Sequence, residues 1–160
     1  MTPLVVAAPV LTDRVRAAVE AVPDPEYPGI GIGDLGIVDD VRVDSDGRVE
    51  VELVPTFLGC PALDLIAGDV AAAASAVPLV RRVDVRWARG IAWSPVRISS
   101  RARRTMADEL TVAVPEPTGH VWCPVCGHDG VDAVSDFGPS PCRRIARCPQ
   151  CRNPIEVVRA

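Results

Sequence analysis

The sequence has no lysine; its 17 basic residues are all arginine. That excludes Schiff-base catalysis, a phosphate-loop lysine and a Ser-Lys dyad. It has two histidines, both close to cysteines, so no Ser-His-Asp arrangement can be supported. Aromatics are sparse, and no apolar run approaches the length that would span a bilayer. The first eleven residues are apolar, but they lack a basic segment and a clear cleavage site. No signal peptide is read there, and a cytoplasmic protein with no membrane partner is expected. Nor is there a strong excess of positive charge. The net charge is −4, with 12 Arg against 17 acids in residues 1–119 and 5 Arg against 4 acids in residues 120–160. No nucleic-acid partner is expected from this balance.

What is present is a globular composition, 48% hydrophobic and 24% charged, which argues against general disorder. Residues 12–22 predict a short helix, with Thr12 as its cap and Leu11, Val15, Ala18, Val19 and Val22 on one face. Residues 23–36 hold three prolines and four glycines and read as a long irregular loop carrying Asp24, Glu26 and Asp34. Val41 and Val43, then Val49, Val51 and Leu53, alternate with charged residues around a Ser-Asp-Gly turn at 45–47, which predicts a hairpin with one covered face. A helix is expected over 61–76, with Pro61 at its first position, and a third strand over 82–87. A further short helix is expected near 99–110. Arg97, Arg101, Arg103 and Arg104 beside it read as a solvated face. The fold class expected is α+β: a small α-β-β-α-β sandwich over 1–114, a Pro-Glu-Pro-Thr-Gly linker at 115–119, and a four-cysteine zinc-ribbon-like module over 120–160.

Six cysteines in a reducing compartment favour metal binding or reactive thiols over a disulfide frame. Cys-Pro-Val-Cys at 123–126 and Cys-Pro-Gln-Cys at 148–151 are separated by 21 residues. Each turn aims two thiolates at one point, and two such turns complete a tetrahedron, so Cys123, Cys126, Cys148 and Cys151 are expected to bind a metal. A segment with so little apolar material needs a staple. Zinc is the default ion, but an iron–sulfur cluster takes the same donors, and spacing does not separate the two. Cys142 is left over. It is compatible with a substitute ligand, a free thiol or a structural residue. His120 and His128 read as surface residues rather than ligands.

Cys60 lies before Pro61 and is expected at the N-cap of the 61–76 helix, where the dipole end favours a thiolate. Thr56 precedes it by four residues. Asp24, Glu26 and Asp34 sit on a loop able to close over it, and a thiolate with nearby carboxylates can hold iron transiently. A small buried cysteine at a helix start is the plain alternative.

Asp-Pro-Glu at 24–26, Asp-Leu-Gly-Ile-Val at 34–38 and Pro-Thr-Phe-Leu-Gly-Cys-Pro-Ala at 55–62 resemble the metal-sulfur cluster assembly domain family. The C-terminal run, Cys-Pro-Val-Cys-Gly, then Ser-Asp-Phe-Gly-Pro-Ser-Pro-Cys-Arg-Arg, then Arg-Cys-Pro-Gln-Cys, resembles one branch, the PaaD (or PaaJ) accessory subunits encoded with phenylacetyl-CoA epoxidase. The similarity runs from about residue 13 to 157. Phe57 and Leu58 stand where the family more often has Tyr and Ser. The resemblance implies a small α+β domain that assists iron–sulfur cluster assembly or transfer, with Cys60 as the iron-contacting group. It also implies oxygenase and reductase subunits of a phenylacetyl-CoA epoxidase-type complex as partners, in aerobic phenylacetate degradation. On this reading the protein is an accessory factor rather than the enzyme. A docking subunit held together by zinc is the alternative, and a homodimer could share an iron–sulfur species through Cys60.

Overall fold

The hairpin turn shows how the sequence sets the first sheet. In the computed structural model, which describes residues 8–159, the Asp44 carboxylate accepts the N–H groups of Asp46 and Arg48, both at 2.9 Å. Gly47 follows at φ +77°, a left-handed conformation that only glycine adopts without cost. A Cβ there would also overlap the Leu79 carbonyl oxygen. The turn joins β1 (Val38–Val43) to β2 (Arg48–Leu53) antiparallel, with Val41 opposite Val51 and Val43 opposite Val49. The Gly47 carbonyl then accepts the Arg81 N–H at 2.8 Å and fixes the start of β3 (Arg82–Trp87). Strand β3 runs parallel to β2, so the chain must cross over between them, and α2 (Leu63–Ser75) does so.

The predicted α-β-β-α-β order is present. The chain forms two compact units, and the first comprises residues up to 33, 37–54 and 61–91. Helix α1 (Ala8–Glu20) packs on β1, α2 packs on β3, and the two helices pack on each other. Val15, Val19, Val49, Val51, Leu53, Val70 and Ala74 are fully buried. The other sheet face is charged: Arg86 lies 3.9 Å from Glu50 and 3.4 Å from Glu52. These exposed pairs solubilise the face more than they stabilise it.

Two helix starts differ from expectation. Helix α1 begins at Ala8, so Thr12 lies inside it rather than capping it. Pro9 is tolerated because first-turn N–H groups have no helical partner. Helix α2 begins at Leu63 after an N-cap at Ala62, which has no side chain to cap with. Cys60 therefore precedes the cap by two residues. Its N–H is spent on the Phe57 carbonyl at 3.1 Å, closing a separate turn.

The second unit comprises residues 34–36, 55–60 and 92 onward. Ser99 caps α3 (Ser100–Leu110) by accepting the Ala102 N–H at 3.1 Å. Strands β4 (Val112–Ala113), β5 (Asp132–Ser135), β6 (Arg143–Arg147) and β7 (Pro154–Val158) form a sheet in the order β4-β7-β6-β5. The Pro-Glu-Pro-Thr-Gly stretch is a closed turn: Glu116 N–H donates to the His120 carbonyl and Gly119 N–H to the Glu116 carbonyl, both at 2.8 Å. Arg103 donates to the carbonyls of Pro95 at 2.6 Å, Pro115 at 3.1 Å and Ile98 at 3.2 Å. Among the described residues, no helix is long and apolar enough to cross a membrane.

Most of the expected solvated arginine face is in use. Arg97 donates to the Gly36 carbonyl at 2.7 Å, and Arg101 pairs with the Asp34 carboxylate. Ser99 donates its hydroxyl to the same carboxylate at 2.7 Å, and the Ser99 N–H reaches the Asp34 carbonyl at 2.8 Å. The Arg101 hydrogen bond first, and then that of Ser99, hold the Asp34 carboxyl below its usual range. A carboxylate whose pKa is depressed by folding stabilises the fold above its unfolded pKa, and this is lost as pH falls through the folded value. Asp34→Asn should therefore destabilise the protein at pH 7 by about 1–3 kcal/mol. The gap to wild type should narrow only as pH drops below about 3.8. Urea unfolding of both proteins across pH 2.5–7 checks this, and a gap independent of pH would refute it.

Candidate metal centre and the cysteine loop

Each Cys-x-x-Cys turn is built by the same backbone device. In the first, the Cys123 N–H donates to the His128 carbonyl and the Gly127 N–H returns to the Cys123 carbonyl, both at 2.9 Å. In the second, the Cys148 N–H donates to the Asn153 carbonyl at 3.1 Å, and the Arg152 N–H returns to the Cys148 carbonyl at 2.9 Å. The closing residue is left-handed in both, Gly127 at φ +71° and Arg152 at φ +65°. Glycine takes this conformation freely, whereas for arginine it costs about 1–2 kcal/mol. The second knuckle is thus the strained one.

The four sulfurs of Cys123, Cys126, Cys148 and Cys151 lie within 4.8 Å of one another. Cys123 Sγ is 3.7 Å from Cys151 Sγ, and Cys126 Sγ is 3.6 Å from Cys148 Sγ. An ion with bonds of about 2.3 Å to four tetrahedral sulfurs would set them about 3.8 Å apart. The donor set therefore fits a single ion. Cys123 and Cys148 are buried in a small core with Ala113, Val121, Ala146, Ile155 and Val157, while Cys126 is exposed and Cys151 half-buried.

The thiols differ in acidity. The Asn153 backbone N–H, helped by that residue's side chain and by hydrogen bonds from Cys148 and Cys126, brings Cys151 down to about 6. At Cys126 the His128 N–H acts the same way, but desolvation and the three neighbouring sulfurs outweigh it and push the thiol up to about 12. Four thiolates repel one another at this spacing, so a bound cation must displace protons as it neutralises them.

Cys142 is not part of this group. Its sulfur is 3.3 Å from the Ser140 hydroxyl, and its carbonyl accepts the Arg159 N–H at 2.8 Å. His120 is not a ligand either; its Nδ1 is 3.2 Å from the Asp129 carboxylate. His128 serves the knuckle through its main-chain carbonyl.

Cys60 is half-buried in the 55–60 loop of the second unit. The Phe57 ring lies over Gly59, where a Cβ would come within 2.8 Å of it. Leu58, at the tip, is 85% exposed. Thr56 stands in the same loop, whereas Asp24 and Glu26 belong to the first unit. Asp24 is buried, and its carboxylate accepts the N–H groups of Glu26 at 2.8 Å and Tyr27 at 3.1 Å. It shapes its own loop by binding that loop's backbone.

Comparison with known proteins places both halves of the chain. The pattern of the iron-sulfur cluster assembly protein family matches residues 12–86, and that of the PaaD zinc beta ribbon domain matches residues 107–159. The Fe-S protein maturation auxiliary factor YitW of Bacillus subtilis is 35% identical over 85 residues, covering 53% of this chain and 78% of that protein. The chain belongs to the iron-sulfur cluster assembly protein family. The ribbon lies outside the stretch that this family's pattern matches, but a full-length relative spans both parts. An Escherichia coli protein named as a subunit of 1,2-phenylacetyl-CoA epoxidase is 29% identical over 173 residues, covering 99% of each chain. Among solved structures, a domain of unknown function from Bacillus anthracis has a TM-score of 0.58 at 32% identity, covering 62% of this chain and 93% of that one. The family's α+β domain and the ribbon are thus the two recognisable parts of this chain, and the four-cysteine metal site lies in the ribbon.

Proposed function

We propose that this protein matures iron–sulfur clusters for a multicomponent oxygenase of the phenylacetyl-CoA epoxidase type. The observation that carries the reading is the joint one: an assembly-family domain and a PaaD-type ribbon in one chain that matches an epoxidase-subunit relative from end to end. Cys60 is the iron-contacting thiol, set in a turn between an exposed leucine and a proline. Iron, or a cluster, is cargo at this position. Thr56, in the same loop, is the oxygen donor associated with it. Asp24 acts on its own loop, since its carboxylate already binds backbone there, and Glu26 is part of that loop. The ribbon holds one zinc ion, because sulfurs 3.6–3.7 Å apart suit one ion better than a multi-iron cluster. It is the structural and docking half, and the partners are the oxygenase and reductase subunits. The site of action is the cytoplasm.

The test is Cys60→Ser in cells co-expressing the oxygenase reductase subunit. Iron and acid-labile sulfide in the purified reductase should fall at least fivefold, while the variant keeps its own metal. Unchanged reductase content would leave the protein as a zinc-held binding subunit without an iron-handling role.

A further inference from the structure

Strand β6 carries an arginine where its pattern calls for an apolar residue. Side chains alternate along a strand. Ala146 faces the ribbon core and is fully buried, so Arg144, two residues away, lies on the same face. Its cross-strand neighbour is Val157, which is also fully buried. Arg143, on the opposite face, has its partner, Glu156, at 2.6 Å. Arg144 is half-buried, and its guanidinium has no hydrogen-bond or ion-pair partner among the described residues. An arginine on an apolar face without a carboxylate is costly unless something else satisfies its fork of donors.

The side chain opens into a cleft of about 340 Å³ lined by Thr118, Gly119, His120, Val121, Gly130, Val131 and Arg144. Val121 and Val131 belong to the ribbon core or pack against it, so the floor is apolar. Thr118 brings a hydroxyl and His120 a ring. Asp129, which precedes the lining residue Gly130, is engaged with His120 at 3.2 Å. Both glycines are left-handed, Gly119 at φ +83° and Gly130 at φ +97°, and a Cβ on either would meet nothing. They shape the cleft by turning the chain rather than by filling it. A volume at the lower end of ligand pockets, with an apolar floor and a few convergent donors, suits a compact molecule.

We propose that this cleft binds a small organic carboxylate, with the guanidinium of Arg144 and the Thr118 hydroxyl on the carboxylate group and Val121 and Val131 under the apolar body. The site is separate from the four-cysteine centre and from Cys60, and it does not depend on the iron-handling reading.

The test titrates the full-length, metal-loaded protein with benzoate and with inorganic phosphate, following the arginine Nε–H resonances by NMR. Arg144→Gln identifies the resonance of interest. Benzoate should shift it saturably in the millimolar range and bind at least tenfold more tightly than phosphate. Arg144→Gln should weaken benzoate at least tenfold with metal content and amide spectrum unchanged, and Thr118→Val should weaken it about threefold. If Arg144→Gln fails to fold, Thr118→Val carries the test, and unaltered affinity there overturns the site. Unsaturable shifts with both anions, or equal binding by wild type and Arg144→Gln, also overturn it. Equal affinity for the two anions overturns the role given to the apolar floor.

Discussion

Replacing Cys148 with serine is expected to unfold the ribbon. Cys148 is fully buried, and its core consists of seven buried residues, two of which, Cys123 and Cys148, belong to the four-sulfur group. Without the two sulfurs, Ala113, Val121, Ala146, Ile155 and Val157 remain, too little apolar surface to hold four short strands. Structural zinc sites supply about 10–16 kcal/mol of apparent binding energy at neutral pH. A whole domain is stable by only about 5–15 kcal/mol. Losing one of four donors, and leaving a buried hydroxyl in its place, removes most of what holds this sheet. The amide resonances of residues 107–159 should collapse to the narrow range of an unfolded chain. A chromophoric chelator should find less than about a tenth of an equivalent of metal. Cys142→Ser is the control and should keep its metal, since Cys142 lies outside the four-sulfur group. Dispersed ribbon resonances and full metal in Cys148→Ser would show that the apolar core suffices alone.

Why the ribbon is legible in the sequence and other parts are not comes down to the range of the interactions. A Cys-x-x-Cys turn is local: spacing alone sets both thiols, so the four cysteines whose sulfurs cluster can be named without any knowledge of the fold. The β1–β2 hairpin is equally local, because Asp44 and Gly47 encode their own turn. The start of α2 departs from its expected place because proline is acceptable at several early positions. What decides between them is the Cys60–Phe57 hydrogen bond, which the propensities of neither residue reveal. The arginines of 97–103 depart from the expected solvated face for a different reason. Their partners are main-chain carbonyls and one carboxylate, more than sixty residues away for Arg97 and Arg101. Carbonyls are present at every position and leave no trace in a sequence. Arg144 gives no sequence signal of its own, because a partnerless arginine is recognisable only once the face of β6 is known. The pattern that marks it is an arginine two residues before a buried alanine.

The Asp-Leu-Gly segment at 34–36 is where sequence resemblance and physical cause meet, and Gly36→Ala is expected to be strongly damaging. Three successive residues are clasped by their carbonyls: Asp34 by the Ser99 N–H at 2.8 Å, Leu35 by Trp93 Nε1 at 2.9 Å, and Gly36 by Arg97 Nε at 2.7 Å. The clasp brings Arg97 so close that a Cβ on Gly36 would overlap its Cβ and lie 2.7 Å from its carbonyl oxygen. A flexible side-chain tip could swing aside, but a Cβ and a carbonyl oxygen move only with the backbone. Gly36 also stands at φ +68°, which disfavours any other residue. The left-handed cost of about 1–2 kcal/mol and an overpacking cost of about 1–3 kcal/mol add to a loss of about 2–5 kcal/mol. At about 2–4 °C per kcal/mol for a chain of this size, the thermal midpoint should fall by roughly 10 °C. Gly90→Ala separates the two contributions. Gly90 has φ +79°, and a Cβ there would meet nothing within 4 Å, so only the left-handed cost applies. Calorimetry on both variants should therefore place Gly36→Ala well below Gly90→Ala. Equal midpoints would mean that Arg97 yields to the new methyl group, and that the clasp is looser than its hydrogen bonds imply.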